Sequence, residues 1–239
     1  MKFIRPIMTS MVVGLLALAT PIHAKEKEES VKQEQTSQFL LSARTDFLSK
    51  YLLRGTTISE TPVIQPTLSA TYRTFSLVGL GNFDTQTGNF SEADLTLDFT
   101  KPLSENVTLS IGYTLLTFPN TQSEKTQEVY AVVTLDKPLK PTIRAYHDFD
   151  EGKGIYGELF CGHDFNLGKI GISIAGILGY NGHYFREDSG LSHLELRLSA
   201  PIRLGSSIIL TPMVNYSKSL DKPSFQDELY GGISLNFSF

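Results

Sequence analysis

Glu228-Leu-Tyr-Gly-Gly-Ile-Ser-Leu-Asn-Phe-Ser-Phe239 closes the chain and alternates without a break. Leu229, Gly231, Ile233, Leu235, Phe237 and Phe239 fall on one face, and Tyr230, Gly232, Ser234, Asn236 and Ser238 on the other. Period two sustained over such a length is a β-strand with one apolar and one polar side. Two architectures use such a strand. In a soluble sandwich the apolar face packs on a second sheet; in a membrane barrel it meets lipid and the polar face lines the interior.

Eleven further segments upstream carry the same period, at 39–47 (running on toward Leu53), 63–72, 75–83, 93–100, 107–118, 128–135, 142–149, 155–165, 170–180, 193–200 and 207–216. The clearest is 93–100, where Leu95, Leu97 and Phe99 alternate with Asp94, Thr96, Asp98 and Thr100. Pro66 weakens the ladder of the second segment. The connectors decide between the architectures. Those at 73–74, 101–106, 136–141, 166–169 and 201–206 are short and carry turn residues. Those at 55–61, 84–91, 119–127, 150–154, 181–190 and 218–227 are mostly longer and more polar. Short turns on one side and longer loops on the other is the asymmetry of an outer-membrane barrel, and an even strand number puts both termini on the turn side. The expected fold is all-β: a transmembrane antiparallel up-and-down barrel of about twelve strands over 39–239. Its final strand resembles the assembly signal of such barrels, with Phe237 and Phe239 as its aromatic end.

Residues 1–24 read as a signal peptide. Lys2 and Arg5 precede an apolar run from Ile7 to Leu18, and Pro21-Ile-His-Ala24 offers a cleavage site. Residues 25–38 are polar and charged, a solvated periplasmic lead-in. Losing Lys2 and Arg5 makes a chain of net charge −4 more acidic, which argues against nucleic acid as a partner. Cys161 is the single cysteine, so no intramolecular disulfide forms; its mid-strand place suggests buried packing. Aromatics cluster at segment ends, with Phe47, Tyr51, Phe83, Phe118, Phe149, Tyr180 and Tyr216 toward the loops and Tyr72, Phe75, Phe99, Phe165 and Phe239 toward the turns. That distribution suggests two interfacial girdles.

Residues 49–82 resemble the start of the TorF-type porins, a family of exported outer-membrane barrels. That family tends to show Tyr-x-x-Arg-Gly-x-x-x-Ser, then Pro-Val-x-Gln, then an aromatic turn. The matching residues are Tyr51, Arg54, Gly55, Ser59, Pro62, Val63 and Gln65, with Tyr72 and Phe75. Where the family often carries Trp, this chain has Leu53 and Leu80. The resemblance implies a barrel and a pore, and no established substrate.

Charges on the polar faces are the candidate lumen residues: Arg44, Asp46, Asp94, Asp98, Glu128, Arg144, Asp148, Glu158, Glu195 and Arg197, with Asp164 and Glu228. On a lipid-facing mid-membrane position an Arg or Lys costs about 2–4 kcal/mol, so these side chains belong inside. Either they line a narrow channel whose acidic excess favours cations, or they pair and fill the barrel. Arg54 has two readings as well: a constriction residue that grips solute, or a hairpin residue that meets a carboxylate beside the turn-forming Gly55.

Catalysis is disfavoured. His183 and His193 flank one outer loop with Asp188 and Ser189 nearby, without a nucleophile motif. His147-Asp-Phe149 repeats as His163-Asp-Phe165; pairing about Gly152 sets His147 opposite Gly157 rather than His163, which gives no metal pair. The expectation is a bacterial outer-membrane channel for small solutes, without cofactor, whose partners are lipid and the barrel-assembly machinery. The alternatives are a non-conducting barrel with ligand- or protein-binding loops and, third, a hydrolase at the rim.

Overall fold

The computed structural model describes residues 39–168, 170–221 and 226–239. The leader and lead-in read at 1–38 lie outside them. The chain begins with β1 (Phe39–Leu48), a small hairpin of β2 (Tyr51–Leu53) and β3 (Thr56–Ser59), then β4 (Val63–Tyr72) and β5 (Phe75–Asp84). It continues through β6 (Asn89–Ser104), β7 (Val107–Thr117), β8 (Thr126–Leu135), β9 (Thr142–Asp148) and β10 (Gly154–Leu167). The last elements are β11 (Ile170–Gly182), β12 (Ser189–Ser199), β13 (Ile202–Arg203), β14 (Ile208–Ser219) and β15 (Glu228–Ser238).

Every wall strand pairs antiparallel with its sequence neighbour, and β1 closes on β15. β13 is a two-residue appendage of β14, and the β2–β3 pair is a separate sheet. The remainder is a closed twelve-stranded barrel without helices among the described residues. Closure leaves no open sheet edge, as a barrel in lipid requires.

The alternation seen in the sequence maps onto the wall. Leu95 and Leu97 of β6 are exposed while Asp94, Thr96, Asp98 and Thr100 are buried. In β12, Leu194, Leu196 and Leu198 are exposed and Glu195 is buried. On β15, Leu229 and Ile233 point outward, and Tyr230 and Ser234 inward. Inward hydroxyls pair across strands, Thr96 with Thr114 at 3.0 Å and Thr100 with Ser110 at 2.6 Å. A polar core wrapped by an apolar belt suits lipid outside. Leu97, 58% exposed, lies within that belt. Leu97→Arg is expected to destabilise the lipid-folded barrel by about 2–4 kcal/mol, measured by reversible denaturation in vesicles. A change below about 0.5 kcal/mol would mean that this face does not contact hydrocarbon.

All twelve segments appear, with local corrections. The first strand does not run on to Leu53. It ends at Leu48, Ser49 N–H donates to Gly231 O at 2.8 Å, and the chain bends away to build β2. Tyr51 is consequently buried and belongs to no girdle. β6 extends beyond 93–100 at both ends, so the expected loop at 84–91 shrinks to 85–88 and the turn at 101–106 to 105–106. Asp84 tightens the first of these, accepting the N–H groups of Gln86 at 2.9 Å and Thr87 at 2.8 Å. The loop–turn asymmetry survives, carried chiefly by the longer connections 49–62, 118–125 and 220–227. Pro66 interrupts the β4–β5 ladder, where Ile64 pairs Phe83 and pairing resumes at Thr67–Leu80. In the gap Gln65 Nε2 donates to Asn82 Oδ1 at 3.0 Å. His147 pairs with Ile155, two residues from the expected Gly157, because Asp148 accepts N–H bonds from Asp150 and Gly152 and draws the loop in. Cys161 is a free thiol of intermediate exposure rather than a buried packing residue.

Candidate functional site

The site begins with a turn. Leu53 pairs with Thr56 across Arg54 and Gly55, whose φ angles are 53° and 80°. Two successive positive φ values define a type I′ turn, the two-residue connection that matches strand twist, in which Asn-Gly is the usual occupant. Arginine at the first position adopts the left-handed region against its preference. Backbone strain of this kind is stored where surrounding contacts over-determine it.

Those contacts lie inside the barrel. The hairpin folds inward, and the Arg54 side chain is 6% exposed. Its Nη1 donates to Glu128 Oε2 and its Nη2 to Glu128 Oε1, both at 2.8 Å. This is the paired fork geometry that makes arginine–carboxylate bonds strong and directional. Three tyrosine rings surround the guanidinium, with centroids 4.0 Å (Tyr146), 4.7 Å (Tyr184) and 5.3 Å (Tyr156) from Cζ. Each ring offers its negative face to the cation.

Register builds this cage. Tyr130 of β8 pairs with Tyr146 of β9, and Tyr146 with Tyr156 of β10, which sets a tyrosine row across three strands. Tyr130 lies over Gly112, where an added Cβ would come within 2.4 Å of its ring, and donates to Asp98 Oδ2 at 2.6 Å. The outer loop between β11 and β12 supplies Tyr184. Its N–H donates to Asn181 Oδ1 and Asn181 Nδ2 donates to its carbonyl, both at 2.9 Å. Tyr184 OH reaches Glu128 Oε2 at 3.3 Å. At the tip, Gly55 packs on His193 so closely that a Cβ there would sit 2.4 Å from Nδ1. The hairpin base is held by Lys50, whose Nζ lies 2.7 Å from both Glu228 Oε2 and Glu60 Oε2. Glu228, then Glu60, holds the Lys50 ammonium above the usual lysine range.

The other predicted lumen charges are placed as follows. Arg44 and Asp46 pair along β1 at 2.8 Å, and Arg197 and Glu195 along β12 at 2.5 Å. Arg144 meets its register partner Glu158 across β9–β10 at 2.8 Å. Asp148 accepts from Thr126 Oγ1 at 2.7 and 2.8 Å and ties down the loop after β9. Glu195 also accepts from Tyr230 OH at 2.8 Å, and Asp164 from Ser173 Oγ at 2.6 Å. Glu92, which the sequence reading passed over, joins Asp94 on the inner face of β6. Glu92 Oε1 and Asp94 Oδ1 are buried without a hydrogen-bond partner.

His183 and His193 do not meet. His183 Nδ1 bonds Glu187 O at 2.7 Å in the loop, while His193 is buried in β12. A β-bulge at Gly179/Tyr180 turns Ser192 inward beside it. Ser192 Oγ lies 3.1 Å from His193 Nδ1, and His193 Nε2 lies 3.9 Å from Glu195 Oε2. This row is sealed beneath Gly55 and stacked on Tyr156, and its carboxylate is engaged by Arg197 and Tyr230. With the hairpin docked, no acyl substrate reaches Ser192. His147 and His163 belong to separate register pairs, with Ile155 and Ile174.

No family model and no curated protein matches the chain. Solved structures do. The KdgM porin in complex with disordered oligogalacturonate matches with a TM-score of 0.55 at 12% identity, over 84% of this chain and 99% of that one. An outer membrane channel from Pseudomonas putida F1 matches with a TM-score of 0.57 at 10% identity, over 89% and 100%. The NanC porin gives 0.54 at 11% identity, over 83% and 100%. At such identities the likeness is one of fold, and the chain has the closed twelve-stranded barrel of outer-membrane porins.

Proposed function

We propose that the protein is an outer-membrane channel for small solutes with a mild cation preference, constricted by its inward hairpin. The observation that carries this is the closed barrel with an apolar outside and a charged inside, shared in fold with porins. The inner wall holds carboxylates beyond those paired with arginine, Glu92, Asp94 and Asp98 among them. Rings of acidic side chains favour cations. On this reading Arg44, Asp46, Arg54, Asp94, Asp98, Glu128, Arg144, Asp148, Glu158, Glu195 and Arg197 line or narrow the path. Export through a cleaved leader, insertion by the barrel-assembly machinery with Phe237 and Phe239 as signal, and the TorF-type kinship carried by Tyr51, Arg54 and Gly55 belong to the same proposal. So does the absence of enzymatic activity.

A second reading is a barrel that does not conduct and presents its outer loops to a ligand or protein. The docked hairpin and the internal ion pairs favour it. Single-channel recording of the refolded protein in a planar bilayer separates the two. Discrete cation-preferring steps are expected, with the preference reduced by Asp94→Asn and by Asp98→Asn, which share the inner face of β6. A folded, heat-modifiable barrel that stays silent even after the hairpin is released overturns the channel.

A further inference from the structure

The pocket that holds Arg54 has the make-up of a receptor for a guanidinium. A fully buried carboxylate presents both oxygens to a fork of N–H donors, and three aromatic faces enclose the cation. Three of its four groups belong to the wall: Glu128 sits on β8, Tyr146 on β9 and Tyr156 on β10. Tyr184 is fixed by Asn181 rather than by the hairpin. The cage is therefore defined without its occupant, and the occupant arrives on a two-residue turn in strained conformation.

Glu128 is not the only buried acidic group on the inner wall. Glu92 and Asp94, 2% and 8% exposed, lie on the inner face of β6. Their Oε1 and Oδ1 atoms lack hydrogen-bond partners. Buried carboxylate oxygens without partners are costly, and a cation or a donor removes the cost. The inner wall thus carries two buried carboxyl groups besides the one that Arg54 engages.

We propose that Glu128, Tyr146, Tyr156 and Tyr184 form a binding site for small guanidinium-bearing organic cations, for which Arg54 is the tethered competitor. A solute with a guanidinium head takes the Glu128 fork and the tyrosine cage, and the hairpin leaves as it enters. A second amine on the solute meets Glu92 and Asp94. Because Arg54 is attached, it competes at an effective concentration on the order of millimolar. The apparent affinity for a free solute is lowered by the fraction of time the hairpin is docked. The site stands on this geometry whether or not the lumen conducts.

Agmatine, which carries a guanidinium and an amine, is the probe. Isothermal titration into the refolded barrel in detergent is expected to show agmatine binding to Arg54→Ala about tenfold more tightly than to wild type, or better. Glu128→Gln added to Arg54→Ala is expected to abolish the binding. Binding to Arg54→Ala no tighter than to wild type, or binding that survives Glu128→Gln, overturns the proposal. Should Arg54→Ala not fold, wild type gives the answer: agmatine at low ionic strength is expected to speed cleavage within the 51–59 hairpin by thermolysin, which does not recognise guanidinium, where sodium at equal ionic strength does not. Equal rates with both cations also overturn it. Conductance recorded on the same preparations reports on the channel separately, since a conducting barrel indifferent to agmatine loses only the site.

Discussion

Glu128→Ala is expected to free the 51–59 hairpin from the barrel. In the parent protein the Arg54 side chain is buried against Glu128 and Tyr146 and Gly55 against His193, which withholds the guanidinium from trypsin's specificity pocket, so resistance to cleavage is expected. Removing the carboxylate leaves a guanidinium in a buried pocket with its fork unmatched. Breaking one partner of a buried ion pair costs about 3–5 kcal/mol, because the remaining charge stays desolvated. The chain can escape that cost by undocking the hairpin into water. The ratio of docked to undocked hairpin should therefore fall by roughly a hundredfold or more. Trypsin added from the loop side should then cleave after Arg54, with fragments identified by mass, and single-channel current should rise. Unchanged protection would mean that the tyrosine cage and the tip contact hold the hairpin without the ion pair.

Gly55→Ala tests the other anchor. The new Cβ would lie 2.4 Å from His193 Nδ1 and 2.6 Å from Cγ, atoms of a ring stacked on Tyr156 and unable to yield. The residue would also hold a φ of 80°, which costs an L-residue about 1–2 kcal/mol. With about 1–3 kcal/mol for overpacking, the docked state loses about 2–5 kcal/mol. Cleavage at residue 54 and larger conductance are again the readouts. Adding His193→Ala removes the collision and leaves the φ cost, so the double variant should recover part of the protection. A Gly55→Ala protein as resistant as wild type would show that the tip does not touch the far wall.

The wall was legible because lipid and lumen impose period two on every strand, and a misplaced charge is too costly to be tolerated. Asp94 and Asp98 alternate with Leu95 and Leu97, and that pattern sufficed to place all four. The hairpin was not legible. Tyr51-Leu-Leu looks like more wall and 55–61 like an outer loop, and nothing in either stretch says that the chain turns back into the barrel. One signal was present: an Arg-Gly pair where a two-residue hairpin would ordinarily carry Asn-Gly. The cage was half legible, since Tyr146 shares a face with Arg144 and Asp148. Its partners emerge only from register, which sets Tyr130 and Tyr156 opposite it. Tyr184 and the bulge at Ser192 depend on the three-dimensional path of the loop after β11 and leave no periodic trace.

The internal ion pairs differ in how far apart their partners lie along the chain. Arg44–Asp46 and Arg197–Glu195 are separated by two residues, and Arg144–Glu158 by fourteen. Such pairs can form within one strand or one hairpin, so each piece carries its own neutralising partner as it enters the bilayer. Arg54–Glu128 spans 74 residues and Lys50–Glu228 spans 178. Neither can form until much of the circle is assembled, and the second waits for β1 to meet β15. Local pairs form early and distant ones late. Docking of Arg54 is therefore a clock for biogenesis: an unfinished barrel is open to trypsin at residue 54, and acquired resistance there marks the moment at which the wall has come together.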